Sequence, residues 1–216
     1  MEEIIMVTDA EMVNNMFKSD FTEGRGCHVD KDGISKTATS IINKNLFPIK
    51  RSVAETDTSL KQPIMYVLFS SSKALGCGCC SERVYLTTER LKGDKRLTGM
   101  ISLGIGGHIN EGEDIYSSMY REIEEEVGVT SDWLNENNIT YSILGVINSN
   151  RSSVDKVHVG IVVEFKVNEQ NMKKIKFKEQ DKHMYKWMTV DDIKLSNSKG
   201  KVESWGKILI KNNMIV

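Results

Sequence analysis

The chain has 216 residues and a formal net charge of −1, and 39% of its residues are hydrophobic and 27% charged. This is the composition of a globular protein with one domain, or one domain and an appendage, without the basic surplus of a general nucleic-acid binder. No apolar stretch approaches the ~20 residues that span a bilayer, and the acidic start Met1-Glu2-Glu3 differs from a secretory signal. We therefore expect a cytoplasmic protein that binds neither membranes nor, stably, nucleic acids.

The first sixty residues contain two helical patterns. Thr8-Asp9-Ala10-Glu11 resembles a capping box and predicts a helix that continues to Phe17. A second helix is predicted from Ser35 to Asn43. The polar segment from Lys50 to Gln62 is interpreted as a connector or an arm. We therefore predict that residues 1–60 form an N-terminal helical extension.

The cysteines raise the question of a zinc site. Cys77, Cys79 and Cys80 lie close together in a glycine-containing segment, and a cytoplasmic protein keeps such thiols reduced. Structural zinc sites usually combine two pairs of ligands, and here only Cys27 and His28 would supply the second pair. The sequence therefore favours a loop with free thiols over a zinc site.

Residues 61–216 are predicted to form the main domain, because strand-like and helix-like patterns alternate there. The predicted strands cover Ile64–Phe69, Arg83–Thr87, Ile101–Ile105, Thr140–Ile147, Val157–Val167 and Tyr185–Met188. Helices are predicted over Asp114–Val127 and after a cap at Thr189, and a final amphipathic segment runs from Val202 to Ile210. This alternation predicts an α/β fold in which a mixed sheet lies between helices.

The predicted helix that ends before Gly128 carries an unusual acidic face. Glu122, Glu125 and Glu126 stand at positions i, i+3 and i+4, which places three carboxylates on one side of the helix. Carboxylates so close together repel one another unless a cation lies between them, and such hard oxygen ligands suit Mg²⁺ or Mn²⁺. The adjoining face is apolar and is predicted to pack on the sheet: Met119, Ile123 and Val127.

The segment from Gly107 to Val129 matches the Nudix box, G-x₅-E-x₇-R-E-U-x-E-E-x-G-U with U aliphatic, at every defined position. The chain thus resembles the Nudix hydrolases, over roughly residues 62–216. The resemblance implies an α/β/α sandwich with a mixed β-sheet. It also implies Mg²⁺- or Mn²⁺-dependent cleavage of a diphosphate bond in a nucleoside diphosphate linked to another moiety.

The resemblance also implies roles for particular residues. The metal ligands would be Glu122, Glu125 and Glu126 with the backbone carbonyl of Gly107, and the orienting partners would be Arg121 and Glu113.

Nudix enzymes often use a further carboxylate from outside the motif as a ligand or general base. Glu179 is the favoured candidate for this group, in a polar loop before Trp187. Asp181 and Glu164 are alternatives, and Glu122 is the candidate within the motif. All of these compete with the interpretation of a solvated or merely structural carboxylate.

Two histidines and two charged residues of the N-terminal arm complete the candidates. His108 follows the glycines and is interpreted either as a phosphate contact or as a structural residue. His158 is expected to be a satisfied residue of a strand. Arg51 and Glu55 would line the substrate site or contact a second copy of the chain, since Nudix proteins are often homodimers.

Two other functions compete with hydrolysis of a small nucleotide-like substrate. An isopentenyl-diphosphate-isomerase-like enzyme would use a cysteine, but the cysteine cluster precedes the motif and does not match that pattern. A non-catalytic nucleotide sensor would more often have lost parts of the motif, which is intact here. The sequence therefore favours the hydrolase.

Overall fold

A computed structural model describes residues 2–17, 26–30, 33–74, 81–92, 98–178 and 180–215. The chain forms two compact units that interleave along the sequence. The first unit comprises residues 1–66, 106–121 and 143–163, and the second comprises residues 67–105, 122–142 and 164–216. Each unit therefore contains part of the acidic motif.

The secondary structure follows the alternation seen in the sequence. The strands are β1 (Ile4–Asp9), β2 (Cys27–Val29), β3 (Phe47–Lys50), β4 (Leu60–Ala74), β5 (Ser81–Arg90), β6 (Ile101–Ser102), β7 (Tyr141–Ile147), β8 (His158–Lys166) and β9 (His183–Thr189). The helices are α1 (Ala10–Met16), α2 (Ile34–Lys44), α3 (Arg51–Ala54), α4 (Ile115–Val127), α5 (Ser131–Glu136), α6 (Ser153–Val157), α7 (Glu169–Met172), α8 (Val190–Ser198) and α9 (Ser204–Lys211). Among the residues that the structure describes, no helix is long and apolar enough to cross a membrane.

In the first unit the strands follow one another in the order β2-β7-β8-β4-β1-β3. Strand β1 runs antiparallel to β3, with Val7 opposite Phe47, and antiparallel to the start of β4, with Thr8 opposite Lys61. A small apolar cluster joins these elements: Ile5, Val7, Ala54 and Leu60, with Ile49 packed against them. The N-terminal extension therefore contains strands as well as the helices that were predicted.

Two details predicted for this extension are wrong. The segment from Lys50 to Gln62 is not a connector, because β3 ends at Lys50, α3 follows, and β4 already begins at Leu60. The N-cap of α1 is Asp9, whose side chain accepts a hydrogen bond of 2.7 Å from the Met12 N–H. Thr8 is in β1 instead, because its strand pairing with Lys61 leaves it no role in the helix cap.

In the second unit β5 occupies the central position. It pairs antiparallel with the end of β4, where Ser70 lies opposite Tyr85, and with β9, where Leu86 lies opposite Trp187. It also pairs with the short strand β6 through Thr88. The predicted strand at residues 83–87 is thus confirmed as part of a longer strand.

The sheet is mixed, as predicted. Lys61 near the start of β4 contacts Lys156, just before β8. Further along, Ser70 of β4 accepts a hydrogen bond from the N–H of Val167, just after β8. The contacts thus advance in the same direction along both strands, so β4 and β8 run parallel. In contrast, β1 is antiparallel to β3, and β5 is antiparallel to β9.

The first unit buries a lysine. Lys61 is only 2% exposed, and its ammonium group donates a hydrogen bond of 2.7 Å to the Lys156 carbonyl. Burial lowers the pKa of Lys61 to about 8, and the nearby negative charge of Asp155 opposes this shift only in part. The charged form of this side chain is therefore destabilised by folding.

We expect a pH-dependent difference in stability between the wild type and Lys61→Met. Unfolded Lys61 keeps its proton up to its ordinary pKa near 10.4, so between pH 8 and 10.4 the unfolded chain binds more protons than the folded one. The free energy of unfolding of the wild type, relative to the variant, should therefore rise by about 2–3 kcal/mol across this window. Urea unfolding at pH 7 and pH 10 measures it, and a constant difference would contradict the prediction.

Candidate active site

The loop before α4 is held closely against neighbouring strands of the first unit. A Cβ atom on Gly106 would lie within van der Waals overlap of the Met65 carbonyl oxygen, so only glycine fits there. The Met6 N–H donates a hydrogen bond of 2.8 Å to the Ile109 carbonyl. Gly106 thus allows this loop to approach the backbone of β4 closely.

The start of α4 is capped by Asp114. Its carboxylate accepts hydrogen bonds from the N–H groups of Tyr116 at 3.0 Å and Ser117 at 2.7 Å. These contacts satisfy donors that have no partner inside the helix. The predicted helix from Asp114 to Val127 is confirmed, with Asp114 as its cap.

Glu113 and Arg121 form a two-pronged ion pair within the first unit. The Arg121 Nε lies 2.7 Å from Glu113 Oε1, and Nη2 lies 2.9 Å from Oε2. Arg121 Nη2 also donates to the His108 carbonyl at 2.8 Å, and the Asn110 N–H donates to Glu113 at 3.0 Å. The pKa of Glu113 is below its usual range, mainly because its carboxylate is hydrogen-bonded to the Arg121 guanidinium. The pair thus ties the loop at residues 108–113 to the middle of α4.

We expect Glu113→Gln to reduce stability in a pH-dependent manner. Because the pKa of Glu113 is lowered in the folded state, the ionised carboxylate stabilises the fold above its ordinary pKa near 4.3. At pH 7 the free energy of unfolding of the wild type should exceed that of the variant by about 1–2 kcal/mol, the contribution expected of a partly buried charged hydrogen bond. This advantage should be lost as the pH falls through the folded-state pKa. Urea unfolding at a series of pH values below 7 tests it, and a difference that does not shrink as the pH falls would refute it.

The carboxylate face of α4 lies in the second unit. Glu122 and Glu126 are half-buried and Glu125 is exposed. The adjoining face is buried as predicted: Met119 is 1% exposed, and Ile123 and Val127 are fully buried. Within the described residues, no three His, Cys, Asp or Glu side chains are gathered closely enough to hold a metal ion. The helix therefore fixes the backbone positions of the carboxylates, and the rotamers of their flexible side chains would have to converge for a metal to bind.

The end of α4 is held by residues that the sequence did not reveal. The carbonyl of Glu126 accepts hydrogen bonds from the Lys178 N–H at 3.0 Å and the Tyr185 hydroxyl at 3.1 Å. A buried helix end requires hydrogen-bond donors for its last carbonyls. The sequence therefore indicates that such donors exist, but it does not indicate which residues supply them.

The two histidines contact each other in the first unit. Nδ1 of His158 lies 2.7 Å from the Val154 carbonyl oxygen and therefore carries a proton, while its Nε2 lies 3.3 Å from Nε2 of His108. His158 is thus a hydrogen-bonded residue at the start of β8, as expected. Burial is the main cause that lowers the pKa of His108 to about 4, and Arg51 adds to it. A phosphate contact of His108 stays a prediction, and it would involve a neutral imidazole.

Arg51 is engaged by two carboxylates. Its Nη1 lies 3.0 and 2.9 Å from the two oxygens of Glu3, and its Nε lies 2.9 Å from Glu55. The Arg51 side chain is 37% exposed. Its positive charge is therefore already balanced within the N-terminal part of the chain.

The candidates for a carboxylate from outside the motif differ in their surroundings. Glu164 is 3% exposed and lies 2.5 Å from Arg83, with Lys166 at 3.8 Å. The Glu164 carboxylate is therefore already engaged in a buried ion pair. Asp181 is exposed. Glu179 lies outside the described residues, as do the cysteines at positions 77, 79 and 80, so these predictions stay open.

Comparison with known proteins agrees with the motif. The NUDIX domain matches residues 74–206 of this chain. Protein YmaB of Bacillus subtilis (strain 168) is 29% identical over 219 residues, which cover 97% of each chain. The crystal structure of Tm1382, a candidate Nudix hydrolase, is 25% identical with a TM-score of 0.66 and covers 99% of this chain and 100% of its own. DR0079 from Deinococcus radiodurans shares the fold at 15% identity, with a TM-score of 0.53 over 78% of this chain and 91% of its own.

The mixed sheet with its helices is therefore a Nudix-like fold. Because the family match spans more than half of the sequence, this chain belongs to the NUDIX family. It is a hydrolase of the Nudix type, a class that acts on diphosphate bonds.

Proposed function

We propose that this enzyme uses Mg²⁺, or Mn²⁺, to hydrolyse a diphosphate bond in a nucleoside diphosphate linked to another moiety. The observation that best supports the proposal is the intact motif on α4. Its three carboxylates follow one another at i, i+3 and i+4 on the last turns of the helix. The preceding Arg121 is locked by Glu113.

The donor set fits a hard divalent cation. Glu122, Glu125 and Glu126 offer carboxylate oxygens, the ligands that Mg²⁺ prefers, and the motif implies the Gly107 carbonyl as a further ligand. A cation bound there would lower the pKa of a bound water and neutralise charge on the phosphoryl oxygens. Glu122 and Glu126 are half-buried, which limits competition by bulk water for their charges. We assign these residues as metal ligands.

We assign Glu179 as the general base, with Glu122 as the alternative within the motif. Lys178, the residue directly before Glu179 in the chain, is hydrogen-bonded to the backbone of Glu126. The competing carboxylate of Glu164 is neutralised by Arg83. In the reaction, the oxygen of water forms a bond to phosphorus, the bond to the bridging oxygen breaks, and the proton of water passes to the base. The products are two phosphorylated halves, or a monophosphate and pyrophosphate from a triphosphate.

The substrate is proposed to be a small nucleotide-like molecule. The motif defines the reaction, whereas loops and appendages outside it select the substrate. We further propose that residues 1–60 form an arm on a domain of residues 61–216, that the arm contributes to substrate selection or to a homodimer contact, and that the protein is cytoplasmic.

A substrate screen tests the proposed reaction. Purified protein is incubated with Mg²⁺ and with ADP-ribose, dinucleoside polyphosphates, nucleotide sugars, coenzyme A or modified triphosphates, and the products are separated. We expect cleavage of one class, abolished by EDTA. Conversion without a phosphate-bearing fragment would instead indicate an isomerase, and nucleotide binding without turnover would indicate a sensor.

A further inference from the structure

The backbone of Glu126 is fixed from outside its own helix. The last four carbonyls of a helix have no partner within it. The chain satisfies one of them locally, because the N–H of Gly128 donates to the carbonyl of Glu124, while the N–H of Val129 donates to the carbonyl of Ile123 one residue earlier. The Glu126 carbonyl instead takes its donors from residues more than fifty positions later, the backbone of Lys178 and the hydroxyl of Tyr185.

The ring of Tyr185 is held in place on two sides. Phe177 stacks on it with ring centroids 4.4 Å apart and an interplanar angle of 2°. His183 meets it edge-on at 6.1 Å. Tyr185 also lies opposite Thr88 of β5 within the strand pairing. The hydroxyl is therefore presented to α4 by a ring with little freedom to move.

The segment at residues 176–178 contacts the same helix end at a second point. The carbonyl of Lys176 faces Gly128, where an added Cβ would overlap with it. The N–H of Lys178 reaches the Glu126 carbonyl at 3.0 Å. Glu179 follows Lys178 directly in the sequence. Tyr185 thus contacts the end of α4, and its stacking partner Phe177 belongs to the segment that directly precedes the proposed base.

We propose that Tyr185 is a positioning residue for the metal site, and that it acts by fixing the peptide group of Glu126; this inference rests on the proposed function. The direction of a side chain follows the backbone dihedrals of its residue, and an unsupported last turn of a helix frays. The hydrogen bond from the Tyr185 hydroxyl keeps the backbone of Glu126 in one orientation. Its side chain therefore leaves the helix in one direction, which favours binding of one cation together with Glu122. Partners that orient metal ligands typically change metal affinity or activity by about 10–100-fold when removed.

The test is direct metal binding to Tyr185→Phe, which keeps the stacked ring and removes only the hydroxyl. Free Mn²⁺ is measured by electron paramagnetic resonance during titration of the full-length protein. We expect the Kd for Mn²⁺ to rise about tenfold. Tyr141→Phe is the matched control, because Tyr141 also contacts a phenylalanine ring, Phe165 at 5.5 Å, in the same unit. Its Kd should equal that of the wild type.

Equal Mn²⁺ affinities for the wild type and Tyr185→Phe would overturn the inference, even if the variant melted at a lower temperature, because Tyr185 would then only stabilise the fold. Should Tyr185→Phe fail to fold, Phe177→Leu keeps the hydroxyl and loosens the ring, and it must also weaken Mn²⁺ binding. A wild-type protein that binds no Mn²⁺, or binds it as well after Glu126→Gln, would contradict the proposed metal site itself. Failure of the inference about Tyr185 is therefore seen in the Tyr185→Phe protein, whereas failure of the proposed metal site is seen in the wild type and in Glu126→Gln.

Discussion

Glu126→Gln is expected to lower Mg²⁺-dependent turnover by about 10²- to 10³-fold. The substitution preserves shape and removes one negative charge from the proposed ligand set. A bound metal contributes several kcal/mol of transition-state stabilisation, and each ~1.4 kcal/mol corresponds to a factor of ten in rate. Steady-state kinetics on the substrate found by the screen, at saturating Mg²⁺, measure the loss.

Glu124→Gln is the matched control for this substitution. Glu124 belongs to the same helix and is exposed, and its carboxylate lies 3.7 Å from Lys178. An exposed ion pair of this kind contributes at most about 1 kcal/mol to stability. We therefore expect Glu124→Gln to retain activity. Equal losses in both variants, or full activity of Glu126→Gln, would argue against the assigned ligands.

Gly128→Ala should be strongly destabilising. Gly128 has a φ of 68°, a left-handed conformation that costs residues with a Cβ about 1–2 kcal/mol. The new Cβ would also overlap with the backbone carbonyl of Lys176, and relieving such overlap costs about 1–3 kcal/mol more. The sum is about 2–5 kcal/mol, which corresponds to a fall in Tm of about 4–20 °C for a protein of this size. Thermal unfolding without metal measures it.

Gly112→Ala separates the two contributions. Gly112 has a φ of 83°, but no atom lies within 4 Å of the position of its Cβ. It should therefore show only the cost of the backbone conformation, about 1–2 kcal/mol. If both variants lost the same stability, the contact between Gly128 and Lys176 would not contribute.

The features predicted well from the sequence depend on local spacing. The acidic face and the buried face of α4 both follow from the helical repeat, and Ile123 and Val127 are fully buried as this repeat requires. Likewise, Thr189 caps α8 by accepting a hydrogen bond of 3.0 Å from the Asp192 N–H. Such contacts span three or four residues, so a single sequence contains the necessary information.

The features that were missed depend on pairing between distant segments. Strand β3, which contains Pro48, was not predicted. It is the last strand in the order of its unit, and proline is tolerated in such edge strands. Its partner β1 is some forty residues away in the chain, so no local pattern indicated the pair.

The candidate site shows the same division. The positions of the carboxylates on α4 were accessible from the motif. The donors that hold the end of this helix were not, because Tyr185 and Glu126 are 59 residues apart. The sequence indicated a strand at Tyr185 without indicating where its hydroxyl would lie.

Hydrolysis in ¹⁸O-labelled water tests the central claim most directly. The wild-type protein is incubated with Mg²⁺ and the substrate panel, and the products are analysed by mass spectrometry. The proposed reaction predicts that ¹⁸O enters a phosphorus-bearing product, and that this incorporation is lost with EDTA and in Glu126→Gln. If no substrate yielded a labelled phosphorus-bearing product while a nucleotide still raised the Tm, the assignment as a metal-dependent diphosphate hydrolase would be contradicted.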